Sequence, residues 1–193
     1  RFMLQFYLDQ VDQTDLALLC LDKQVAALLE PFRDVVEHVS SVPGVGAIAA
    51  AAILAEIGFD MSRFPSANHL VSWATLCPRS DESAGKHRST RTRRGASWLK
   101  PMLVQAAWAA VRTKESYERA LFHRLKARRG PKKAIVAVAA SLLRAIYAIV
   151  RDGVPYQTLG ADHFDIINQD LKKRRAIKQL EKLGYNVTLE EAA

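Results

Sequence analysis

Chemical potential concentrates between Cys77 and Gly95, in the sequence CPRSDESAGKHRSTRTRRG. This stretch holds the hydroxyls of Ser80, Ser83, Ser89, Thr90 and Thr92, six lysine or arginine side chains, and almost nothing apolar. A serine hydroxyl is a poor nucleophile until a base takes its proton and cations stabilise the charge that grows on the attacked centre. Ser83 has the second condition in excess, because Lys86, Arg88, Arg91, Arg93 and Arg94 follow it closely. Arginine forks match the oxygens of a phosphodiester better than point charges do. Gly85 lets backbone come close to a phosphate. The residues allow phosphoryl transfer onto a serine, but by themselves they better suit a phosphate-clamping loop whose serines merely hydrogen-bond.

Other chemistry finds little support. The chain contains no P-loop, no paired GxGxxG and no HExxH. His38, His69, His87, His123 and His163 are scattered without metal-ligand spacing. Asp81 and Glu82 are adjacent acids beside the serines, a weak metal site, and no second cluster is visible. Acids for metal chemistry are therefore expected from outside this chain, and none of its own residues is assigned to a metal. Cys20 and Cys77 lack CxxC partners, which argues against a disulfide framework or a zinc cluster and for a reducing cytoplasm.

The basic loop sits within a wider charge asymmetry. The 193 residues carry 28 Lys and Arg against 20 Asp and Glu, for a net +8. Residues 1–40 hold 3 basic and 7 acidic groups, residues 41–78 hold 1 and 2, residues 79–133 hold 16 and 4, and residues 134–193 hold 8 and 7. The middle third thus contains the whole excess. Such clustering is the signature of a polyanion partner, since each cation that meets a phosphate releases condensed counterions. A second basic stretch, Lys126, Arg128, Arg129, Lys132 and Lys133, fits either nucleic-acid contact or a solvated face.

The elements around these residues read as helices. Leu4, Leu8, Val11, Leu18, Leu21, Val25, Leu28, Phe32, Val35 and Val39 form a heptad-like seam, with Asp15 in one apolar slot and Pro31 forcing a kink or a new helix. Self-association through this arm and packing against the rest of the chain explain it equally well. Val42-Pro43-Gly44-Val45-Gly46 then interrupts helical sequence before the Ala-rich stretch 47–57, as in a helix-hairpin-helix whose glycines, Gly44 and Gly46, expose amides to a phosphate. No Lys or Arg falls between Arg33 and Arg63, so that hairpin would work by amides alone; a closely packed Ala-rich helix pair is the competing reading.

Ala67 to Thr75 reads as a short helix, 77–95 as a loop, and Ser97 to Arg112 and Tyr117 to Leu125 as further helices. Pro131 opens a helix over 134–150, apolar on most faces and so the central core helix. One more helix is predicted from Asp170 to Leu183. No strand-period segment of convincing length occurs, and the expected fold is all-α. The organisation expected is a helical arm over 1–39, a serine-bearing domain over 40–155 and a polar tail over 156–193. The charge-free run Ala134 to Leu143 is about half of a bilayer span, so no transmembrane helix is expected. No signal peptide is apparent, and the opening Arg1-Phe2 suggests part of something longer.

The segment VPGVGAIAAAAILAEIGFDMSRFPSANHLVSWATLCP, followed by ESAGKHRSTRTRRGASWLKPMLVQAAWAA, resembles the C-terminal transposase domain of the IS-one-ten family of insertion-sequence transposases. The glycine hairpin, the LCP turn and the SAGK loop are its most specific parts, over about residues 40–125. The resemblance implies a prokaryotic, cytoplasmic recombinase that joins a RuvC-like N-terminal domain, bearing metal-binding acids and Mg²⁺, to a C-terminal domain with a nucleophilic serine. It also implies DNA and a structured guide (bridge) RNA as partners, no membrane, and a dimer or tetramer. Residues 1–40 show neither the strands nor the spaced acids of the RuvC-like half. By this likeness the nucleophile falls on Ser83, with Ser80 in reserve because Ala84 separates Ser83 from the glycine. Lys86, Arg88, Arg91, Arg93 and Arg94 would grip phosphate. The alternative is a non-enzymatic helix-hairpin-helix module that binds DNA or RNA.

Overall fold

A computed structural model describes residues 1–79, 81–89, 91–93, 95, 98–184 and 186. The fold is all-α, with one short hairpin as its only sheet among the described residues. Helix α1, Phe2–Leu29, runs for 28 residues without a single buried side chain, and Leu4, Leu8, Val11, Leu18, Leu21, Val25 and Leu28 all face outward. Its seam finds no cover among the described residues. Pro31, which has no N–H and clashes with the preceding turn, falls in a 3₁₀ turn over Glu30–Phe32 that ends α1. Helix α2, Arg33–Ser40, resumes beyond it and begins the core with buried Val39, while Phe32 stacks on Phe59 with ring centroids 3.8 Å apart.

Helix α3, Ala47–Ile57, packs on α2 and buries Ala50, Ile53, Leu54 and Ile57. After a 3₁₀ turn at Met61–Arg63 comes α4, Ala67–Trp73, and later α5, Leu99–Arg112, with Pro101 tolerated in its first turn. Helix α6, Tyr117–Arg129, is separate from α5 because Ser116 caps it: the Ser116 hydroxyl accepts from the Arg119 N–H at 3.2 Å. It runs four residues beyond the Leu125 limit expected from periodicity, to Gly130 at φ +78°.

The core is built on α7, Pro131–Asp152, which packs against α2, α4, α5 and α6. Ile135, Val138, Ala139, Leu142, Leu143 and Ile146 give it a broad buried stripe, as the apolar periodicity predicts. By length and composition alone it is long and apolar enough to cross a membrane, since the helix is about twice the charge-free run. Yet 56% of its most apolar window is buried among the other helices. Arg144 rides on its exposed edge, where Nε donates to Asn68 Oδ1 at 3.1 Å. Gly153, at φ +67°, closes it.

Helix α8, His163–Lys182, begins well before Asp170. Aromatic docking rather than periodicity sets that start: Phe164 stacks on Tyr117 at 5.1 Å and lies under the Arg124 guanidinium at 4.8 Å. The strap between α7 and α8 is tied down by Tyr156, whose hydroxyl donates to Glu118 Oε1 at 2.6 Å. Glu118 is only 2% exposed, and its Oε2 has no hydrogen-bond partner among the described residues. Burial, then the neighbouring Glu118 carboxyl, holds the Tyr156 phenol proton well beyond its ordinary range. The unfolded chain releases that proton near pH 10.0, so this contribution is complete below that pH and is lost as the pH rises further. Tyr156→Phe is expected to cost about 1–3 kcal/mol in urea unfolding at neutral pH, since it strands a buried carboxyl. It should also flatten the alkaline loss of stability.

Candidate serine ribbon

The stretch expected to be a loop is a β-ribbon, a correction of the sequence reading. Strand β1, Asp81–Ser83, pairs antiparallel with β2, Lys86–Ser89, placing Ser83 opposite Lys86 and Glu82 opposite His87. The register slips between Asp81 and Glu82, then pairing resumes as the Arg79 N–H donates to the Arg91 carbonyl at 2.9 Å and Pro78 bridges Thr92. Ala84 and Gly85 form the two-residue turn with φ of +51° and +74°, the positive pair that matches strand twist. Alanine at the first of these positions is no hairpin signature, and the described strand side chains Glu82, Ser83, Lys86 and Ser89 are polar and none is buried, so no apolar alternation marks them. The ribbon was therefore invisible to periodicity. Gly85 is used for its backbone conformation: a Cβ there would meet nothing within 4 Å.

Ser83 thus ends β1 beside the turn, exposed, and shares a ribbon face with its directly opposed partner Lys86. Arg88 lies in β2, and Arg91 and Arg93 extend from the stem, both exposed. Ser80 and Arg94 lie outside the described residues. The geometry therefore gathers a primary hydroxyl and a cation at the tip, with more cations toward the base.

Lys100 fixes that base and was missed from the sequence. From the first turn of α5 its ammonium donates to Thr92 Oγ1 at 2.7 Å, to the Thr75 carbonyl at 3.3 Å and to the Arg93 carbonyl at 3.5 Å. Thr75, 8% exposed and at φ +57°, adds a hydrogen bond from its hydroxyl to the Gly95 carbonyl at 3.3 Å. The only signal was a lysine inside an otherwise apolar helix start, and its partners lie up to 25 residues away.

The two hairpin glycines do different jobs. Gly44 adopts φ +79° and is pressed on α5, where an added Cβ would sit 2.2 Å from the Ala106 carbonyl oxygen and 2.7 Å from the Ala110 nitrogen. Close helix packing is thus a full explanation of Gly44. Gly46 precedes α3 in extended backbone at φ −82°, where an added Cβ would meet nothing within 4 Å, close to Ile48, which is 89% exposed. Lys126, Arg128 and Arg129 occupy the last turn of α6, and Lys132 and Lys133 the first turn of α7. Among the described residues no three of His, Cys, Asp and Glu gather into a metal-ligand set.

Residues 36–123, which contain α3, α4, the ribbon and α5, match the Transposase IS116/IS110/IS902 family. The chain is 32% identical over 142 residues to the Insertion element IS110 uncharacterized 43.6 kDa protein of Streptomyces coelicolor, covering 72% of this chain and 34% of that protein. It is 39% identical over 77 residues to the mini-circle protein of IS117 from the same organism, covering 39% of this chain and 19% of that protein. The chain spans about a third of the first relative and a fifth of the second. With the glycine turn, the LCP turn and the serine ribbon all inside the matched region, the chain belongs to the IS116/IS110/IS902 family of transposases.

Proposed function

We propose that this chain is the serine-bearing portion of a DNA transposase, in which Ser83 attacks a DNA phosphodiester. The observation that carries the reading is the exposed Ser83 at the ribbon tip, directly opposite Lys86 in a region of 16 basic and 4 acidic residues. In the step, the Ser83 Oγ–P bond forms, the P–O bond to one DNA hydroxyl breaks, and the departing oxygen takes a proton. The phosphoserine link is later released by attack of another DNA hydroxyl. Lys86 is placed to offset the negative charge that builds on the phosphoryl oxygens.

No carboxylate cluster among the described residues can hold a metal. A RuvC-like domain elsewhere in the full-length protein would supply the acids, and with them Mg²⁺ and the base that takes the Ser83 proton. The uncovered apolar seam of α1 suits association of two or more copies, which would bring such composite sites together. A structured guide RNA, which the family resemblance implies, would be the second polyanion. The isolated chain is expected to bind nucleic acid without cleaving it.

Salt dependence tests the reading. The chain should retard both duplex DNA and structured RNA in a mobility-shift series, with affinity falling at least about 100-fold between about 50 and 200 mM salt. Binding that ignores salt, or no binding at all, would leave a purely structural role.

A further inference from the structure

Beside the ribbon stem lies a groove of about 970 Å³, between Pro78, Arg91 and Thr92 on one side and the α6–α7 corner on the other. Five cations line it, Arg91, Arg129, Lys132, Lys133 and Arg144, and among the described residues no carboxylate does. They come from three separate parts of the sequence, spanning Arg91 to Arg144, so no local charge count reveals their convergence. The floor is aliphatic, with Val71, Leu76, Leu125 and Val136.

Two features mark this cluster as built for an anion. Uncompensated like charges in one concavity repel one another and raise the local potential for a polyanion. Lys132 and Lys133 also occupy the first turn of α7, behind Gly130, which offers no side-chain cap. Cations there oppose the helix dipole. Stability alone would favour acids at those positions, whereas an anionic ligand reverses the sign.

Resting on the nucleic-acid reading above, we infer that this groove holds a single, unpaired nucleic-acid strand, with phosphates on the five cations and sugars and bases over the aliphatic floor. A duplex turns its apolar base faces inward and presents phosphate and groove edges, so it has no use for the floor. An unpaired strand presents both surfaces at once. The Pro78–Thr92 end of the ribbon is five residues from Ser83, about 17 Å at about 3.3 Å per residue. A strand seated in the groove is thereby kept within a short reach of the ribbon tip, and strand separation next to the reacting phosphodiester becomes part of the site's work.

The basic stretch supplies its own control, because Lys126 and Arg128 do not line the groove while Arg129 and Lys133 do. Fluorescence anisotropy of the 193-residue chain with labelled oligo-dT and oligo-U of about 15 nucleotides, and with a blunt duplex of that length, reads the assignment. Arg129→Ala with Lys133→Ala should weaken both single strands about 10-fold or more and lower the salt slope by about 1.4. Lys126→Ala with Arg128→Ala should weaken them less than about 3-fold, and the duplex should respond alike to both pairs. Circular dichroism checks that both variants keep their helices.

Equal losses from the two pairs, or a loss confined to the duplex, would overturn the groove. So would displacement of the strand by poly-glutamate at matched charge, which would make the groove a general anion trap. If the unmodified chain binds no nucleic acid at all, the broader reading fails first. Intact duplex binding with no groove effect removes only the strand site.

Discussion

Ser83→Ala in the full-length protein is expected to abolish covalent protein–DNA adducts, lowering their formation by about 10³-fold or more, while DNA affinity stays within about 2-fold. The asymmetry follows from the ribbon. Ser83 is exposed at its tip and contributes one neutral oxygen, whereas the proposed binding would rest on the cations Lys86, Arg91 and Arg93 and on the wider basic region. Removing a nucleophile deletes the bond-forming atom itself; removing one hydroxyl from a phosphate-binding surface deletes at most one hydrogen bond. Denaturing gels of the protein incubated with labelled DNA and Mg²⁺ read the adduct, and a mobility shift reads the binding. Adducts that persist in Ser83→Ala would transfer the role to Ser80, with Ser80→Ala as the next variant. Adducts absent from the unmodified protein and both variants would favour the non-enzymatic module.

Gly44→Ala should be the most damaging small substitution in the chain, at about 3–5 kcal/mol in denaturant unfolding or outright failure to fold. Its Cβ would lie 2.2 Å from the Ala106 carbonyl oxygen and 2.7 Å from the Ala110 nitrogen. Both obstacles are backbone of α5 and cannot swing aside. The φ of +79° adds the strain of a left-handed alanine. Gly46→Ala is the matched control, because φ is −82° and the added Cβ would meet nothing within 4 Å; its effect should stay within about 1 kcal/mol. A stable Gly44→Ala that had lost only nucleic-acid affinity would restore Gly44 to phosphate binding and remove it from the core. Ala106 and Ala110 complete the device, since only small side chains one turn apart let the 41–46 turn sit this close to α5.

Much of this was legible in the linear chain. Apolar spacing marks α1 through α7 as helices, because each must bury, or in α1 offer, one face at a helical period. Proline and glycine punctuation at Pro31, Pro131 and Gly153 sets helix ends through backbone sterics that act locally. The concentration of cations over residues 79–133 is likewise a property of the sequence, and so is the serine among them.

Tertiary structure decided the rest wherever the cause was not local. The ribbon owes its form to a turn with two positive φ angles and to Lys100 reaching Thr75 and Thr92, contacts that leave no hydrophobic period. Gly44 reads in the sequence either as a phosphate loop or as a closely packed turn, and a helix some sixty residues away determines what it touches. The cations of the groove acquire a common purpose only when α7 brings Arg144 and Lys133 beside Arg91. Periodicity and composition report what each segment must bury or expose. Which segments then face one another is settled by packing, because that depends on the shapes of all the helices at once.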